Sequence, residues 1–215
     1  MSEPAQPDVA AWGLASRNGW VNIDQEYLLR LVWVPCPPFF AGGEDTRSWA
    51  AESAALWWQS SQVSYGRKEV DTLADVFAAV HHDVYAAGHC HQALIHLPDP
   101  RMPPLPAQIG VWAMQGERDE TLRALAHATG TDAIDPPIVG EFRTDRLGTG
   151  LKVLHYRRGP DGERVHGYLN YAWRSEKYQT DLRLFTFSDD LSRLERAMPD
   201  IDDLARATEI VPRQW

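Results

Sequence analysis

Between residues 71 and 87 the apolar positions Leu73, Val76, Phe77, Val80 and Val84 recur at intervals of three and four. That is the stripe of an amphipathic helix, with Asp71 as its N-cap and Gly88 just past its end. An earlier helix is predicted over TRSWAAESAALWWQSS (46–61), with Trp49, Ser53, Leu56, Trp57 and Ser60 on one face and Trp58 about 100° away. A third spans 118–128, with Leu122, Leu125 and Ala126 inward and Gly130 as its stop. A last helix opens at Ser188-Asp189-Asp190, is interrupted at Pro199 and is recapped by Asp200, with Asp202 and Asp203 favouring its dipole.

The remaining pattern reads as strands. Residues 27–34 have strand composition and stop at Pro35, Pro37 and Pro38; 92–98 and 108–114 flank the proline-rich loop DPRMPPLP. Residues 138–146, 149–158, 164–174 and 178–187 alternate with period two, and RGPDGE (158–163) supplies a hairpin turn. The predicted fold class is therefore α+β, an antiparallel β-sheet flanked by helices. Residues 1–19 are expected to form an N-terminal tail and 20–215 a single domain.

The stretch LGTGLKVLHYRRGPDGERVHGYLNYAW, followed by a last strand and the helix DDLSRLERAMPDIDDLA, resembles the Mog1/PsbP-like α/β/α sandwich. That superfamily includes the actinobacterial LpqN lipoproteins and the DcrB-like Eag effector chaperones. The resemblance covers about residues 20–210 by element order, and 148–207 in texture. It implies a non-catalytic protein-binding or assembly factor and brings no catalytic residues with it. The chain shows no lipidation cysteine, so an envelope role does not carry over.

Length and charge narrow the picture. The chain has 215 residues and a formal charge of −9, from 21 basic and 30 acidic residues. The acid excess disfavours nucleic acid and anionic membrane as partners. The opening MSEPAQPDVAA has neither the basic nor the apolar region of a signal peptide, and LLRLVWV is too short to span a bilayer. Cys36 and Cys90 are too few for a disulfide framework, so two reduced thiols in a cytoplasmic protein are expected, although one bridge between them remains open.

Candidate chemistry concentrates in His81–His96. Five of the eight histidines, at 81, 82, 89, 91 and 96, lie there with Asp83 and Cys90. An extended chain puts His89 and His91 on one face, where His82 or His81 from the preceding helix could complete a metal site. The spacing fits no zinc pattern, and a solvated turn explains it as well. Strand geometry also keeps His89 and His91 away from the Cys90 thiol. No nucleophile elbow or phosphate loop occurs, and the paired acids suit helix first turns. The nine Trp are the other signal. Trp57 and Trp58 point in different directions on one helix, so one of them should line a groove or contact a partner. The leading expectation is a cofactor-free protein-binding or adaptor domain using Trp57 or Trp58. The alternatives are a metal protein using His82, His89 and His91, and a small-molecule pocket lined by Trp and Tyr.

Overall fold

The computed structural model describes residues 19–24, 27, 32–37, 43–86, 90–129, 132–159 and 162–212. The described strands and helices run β1 (Gly19–Ile23), β2 (Trp33–Cys36), α1 (Gly43–Ser60), α2 (Arg67–Ala86), β3 (Gln92–His96), β4 (Leu105–Ala113) and α3 (Arg118–Leu125). They continue as β5 (Ile138–Thr144), β6 (Gly148–Arg158), β7 (Val165–Ser175), β8 (Thr180–Ser188), α4 (Leu191–Ala207) and β9 (Thr208–Pro212). Seven strands form one antiparallel sheet in the order β2-β3-β4-β8-β7-β6-β5, while β1 and β9 pair separately. The expected α+β class, a sheet with helices packed on it, is what the chain adopts.

Alternation along the strands divides the sheet into two faces. Leu94, Ile109, Leu169, Tyr171, Trp173, Leu182 and Leu184 point to one side, where they pack with Leu194, Ile201 and Leu204 of α4 and with Val21 and Ile210 of the small sheet. On the other side two helical units cover separate ends. The α1–α2 pair packs on Val34, Ala93, Ile95 and Leu97, and α3 packs on Trp112, Val153 and Ala172 through Leu122 and Leu125. Farther along β6, β7 and β8 this face opens: Tyr168 and Phe185 are half-buried and Phe187 is exposed.

Several local expectations change. The inward stripe of α1 is Ala50, Ala54 and Trp58, whereas Leu56 is 63% exposed. Two alanines let α1 approach α2 closely, which outweighs the greater apolarity of Leu56. α2 begins at Arg67, so Asp71 lies inside it and pairs with Arg67 at 3.5 Å instead of capping; Glu69 accepts from the Gly66 N–H. The predicted position of Gly88 lies outside the described residues. β2 continues through Pro35, because it is an edge strand paired only with β3 and a missing N–H costs nothing on its open side. α4 runs unbroken across Pro199. Its Asp200 and Asp202 are not caps: Asp200 bonds His96, and Asp202 takes the Lys152 ammonium and the Tyr171 hydroxyl. The hairpin after β6 is as expected, with Gly162 at φ 72 and its N–H donating to the Gly159 carbonyl.

Candidate functional site

The open part of the second sheet face gathers polar side chains that the core does not need. His155 and Arg157 project from β6, Asn170 from β7 and Arg183 from β8, on the same side as Val153 and Ala172. Arg183 comes from the α3 end of the face, where its strand pairs Ala172. Its Nε donates to Asn170 Oδ1 at 3.0 Å and its guanidinium lies 4.2 Å from the centre of Phe185. Arg157 comes from the opposite end. It lies over Tyr168 at 5.5 Å, with Nη1 3.0 Å from Asp132 Oδ2 and Nη2 3.3 Å from His127 Nδ1. The two guanidiniums thus lie over neighbouring rows of the face, Arg183 against Asn170 and Arg157 against Tyr168, close enough that the charge of Arg157 acts on Arg183.

Stacked rings frame this space. His155 lies 5.1 Å from Tyr168 at 4°, Tyr168 lies 5.6 Å from Phe187 at 19°, and His166 stacks beyond Phe187 at 6.4 Å. The rings stand side by side across three strands, an arrangement that cross-strand aromatic pairing favours. His127 follows α3 with φ 56, a left-handed conformation that places its ring 6.0 Å from His155.

Much of this polarity is unsatisfied. His155 is 2% exposed and neither ring nitrogen has a hydrogen-bond partner among the described residues. Asn170 Nδ2 and Arg157 Nε are also buried without one. Arg183 has no carboxylate partner among the described residues. Such groups are rare in folded proteins, and a buried donor left unmade costs about 1–3 kcal/mol. Burial, then the charge of Arg157, lowers the His155 pKa to about 4. Burial, then Arg183 and Arg157, lowers His127 to about 3. Burial, then Arg157, brings Arg183 down to about 9. At neutral pH the site therefore carries two arginine cations over two neutral imidazoles, with Asp132 as the carboxylate at its rim. It is built to receive negative charge. No carboxylate orients His155 as a general base requires.

The residues singled out from sequence lie elsewhere. Trp57 is half-buried and donates to the Leu97 carbonyl at 2.6 Å; Trp58, 5% exposed, donates to the Glu69 carbonyl at 3.2 Å. Both pack in the core under the α1–α2 pair, and Trp58 also borders a groove of about 490 Å³ beside Leu73, Val76, Met102 and Pro103. His82 is exposed on α2, His81 is buried against Trp49 and Tyr85, and His91 precedes β3. His89 lies outside the described residues. Among the described residues no three side chains of His, Cys, Asp or Glu converge as metal ligands. His96 faces the opposite side of the sheet, where its Nε2 meets Asp200 Oδ2 at 2.8 Å and its Nδ1 accepts from Arg193 at 2.9 Å. Cys36 and Cys90 are free thiols whose pKa burial raises, that of Cys90 to about 12, so neither is a ready nucleophile.

His155 and Arg183 escaped the sequence reading, and Arg157 reads there only as an isolated basic spot beside the hairpin, because they are scattered polar positions on two different strands, β6 and β8. The available signal was strand parity: in 149–158 and 178–187 a polar residue recurs where an inward apolar one would complete a two-sided core. Comparison with protein-family models gives no match, and comparison with curated proteins gives none either. No helix among the described residues is long and apolar enough to cross a membrane.

Proposed function

We propose that the chain is a non-catalytic binding domain whose ligand docks on the open sheet face formed by β6, β7 and β8. The observation that carries this reading is the cluster of buried nitrogens without a hydrogen-bond partner among the described residues, His155 Nδ1 and Nε2, Arg157 Nε and Asn170 Nδ2, beside Arg183, which has no counter-ion among them. A folded protein retains such groups where a bound partner satisfies them. The ligand presents a group rich in hydrogen-bond acceptors, free or as a side chain of a partner protein. That keeps the adaptor role implied by the Mog1/PsbP-like resemblance, but moves the contact from Trp57 and Trp58 to this face.

The test is a fragment and acidic-peptide screen by amide NMR on the full chain. Hits should shift the resonances of Tyr168, Asn170 and Phe187 and disappear in Arg183→Gln. Binding that survives Arg183→Gln and is lost in Trp57→Ala or Trp58→Ala would move the site back to α1 and overturn the reading.

A further inference from the structure

Resting on that reading, we propose that the open face binds an oxyanion between the guanidiniums of Arg157 and Arg183, and that a proton is taken up with it on His155. The two arginines come from opposite ends of the face, Arg183 held at Asn170 and Arg157 lying over Tyr168, and the charges of both reach His127 and His155, so an anion between them is drawn to both. Arginine favours this role because its planar fork matches the oxygens of sulfate, phosphoryl and carboxylate groups. Arg157 is the movable member. Its partners are the ring of Tyr168, His127 Nδ1 at 3.3 Å and the counter-ion Asp132, which is 61% exposed in its side chain. A bound oxyanion competes with Asp132 for the Arg157 guanidinium.

The proton follows from electrostatics. The titratable or charged groups facing His155 are Arg157 on β6, Tyr168 and His166 on β7, Arg183 on β8, and His127 and Asp132 beyond α3. Without a ligand, burial and then the charges of Arg157 and Arg183 hold the imidazole neutral. An anion between the arginines cancels the charge that opposes protonation and offers an acceptor for an imidazolium N–H. Anion and proton therefore bind cooperatively, and each raises affinity for the other equally. No bond is made or broken; the proton comes from solvent.

Sodium sulfate is the probe, because it does not titrate between pH 5.5 and 7.5. Binding to the full chain is followed by amide and histidine-ring nitrogen NMR at constant ionic strength. Sulfate should shift Asn170 and Tyr168, bind at least threefold more tightly at pH 5.5 than at pH 7.5, and convert His155 to imidazolium at saturation. Acetate, with one charge for two guanidiniums, should bind more weakly. His155→Gln should remove the pH dependence of the sulfate affinity that remains, and the wild-type ring signal decides the matter if that variant does not fold. Sulfate bound on this face with affinity indifferent to pH and a neutral His155 would overturn the proton coupling alone. Equal or tighter binding of acetate would overturn the two-arginine fork. No response of this face to either anion at any pH would overturn both the inference and the binding reading beneath it.

Discussion

Replacing the Asn170–Arg183 pair by apolar side chains of similar volume, Asn170→Leu with Arg183→Met, is expected to stabilise the protein. Asn170 is fully buried, its Oδ1 held by Arg183 and its Nδ2 by nothing. The orphan amide costs about 1–3 kcal/mol. Arg183 falls from 12.5 to about 9, and at 1.36 kcal/mol per unit that bounds its charge-burial cost near ~5 kcal/mol. The residue is only half-buried, so screening leaves on the order of 1–2 kcal/mol. Against these stand the Phe185 contact, about 0.5–1 kcal/mol, and a hydrogen bond whose loss is nearly neutral when both partners go. The net gain is about 1–4 kcal/mol, or roughly 2–16 °C in Tm for a chain of this size. Urea unfolding and calorimetry at pH 7.5 measure it, and the sulfate response should vanish in the same variant. A loss of stability exceeding about 1 kcal/mol would show that the pair anchors the sheet, and would remove the argument that these groups are retained for a ligand.

Other outcomes follow from the same structure. Arg174 and Asp181 form a buried ion pair at 2.6 Å beneath α3, with both side chains almost fully enclosed, so Asp181→Ala should cost about 3–5 kcal/mol in urea unfolding, whereas Arg174→Met with Asp181→Leu should restore most of it. A cost below about 1 kcal/mol for the single change would contradict the pair's importance. A Cβ at Gly150 would sit 2.3 Å from the Ala172 carbonyl and 2.4 Å from Trp173, while one at Gly140 meets nothing within 4 Å. Gly150→Ala should therefore lower stability by about 1–3 kcal/mol or more, and Gly140→Ala should leave it unchanged or slightly higher; equal effects would refute the packing. The folded pKa values of His127 and His155 lie below the unfolded 6.5. The unfolded chain therefore takes up protons first on acidification. Stability present above about pH 6.5 should be lost as pH falls through 6.5 toward 4, by up to about 1.4 kcal/mol per pH unit for each group. Urea titrations at pH 7.5, 6.0 and 5.0 measure this, and His155→Gln should flatten the slope.

Long periodic segments were the most legible in sequence. Strands β5 to β8 fall within about two residues of their predicted bounds, because each runs for seven or more residues between clear turn signals. α2 was readable from its stripe, but its start was not, since Asp71 fits both a cap and a surface ion pair. The β1–β9 pairing joins five-residue segments at far ends of the described chain, and no local pattern encodes that partnership. Pro199 misled for a related reason: tertiary packing of Leu194, Ala197, Ile201 and Leu204 keeps α4 continuous where propensity alone would break it. The candidate site was the least legible part. The histidines clustered in sequence are dispersed in space, with His81 and His96 in different cores, while His127 and His155 meet only through the fold.

The pairing of β1 with β9 also bears on how the chain is made. A ribosome delivers β1 before and β9 after all the other described elements, so β1 waits with its hydrogen-bonding edge empty until β9 is made. β4 likewise meets β8 only after α3 and three further strands have emerged. Nascent chains stalled before residue 208 would therefore expose Val21 and Ile23 to holdase chaperones and proteases, and protection should arrive abruptly once the final strand clears the exit tunnel.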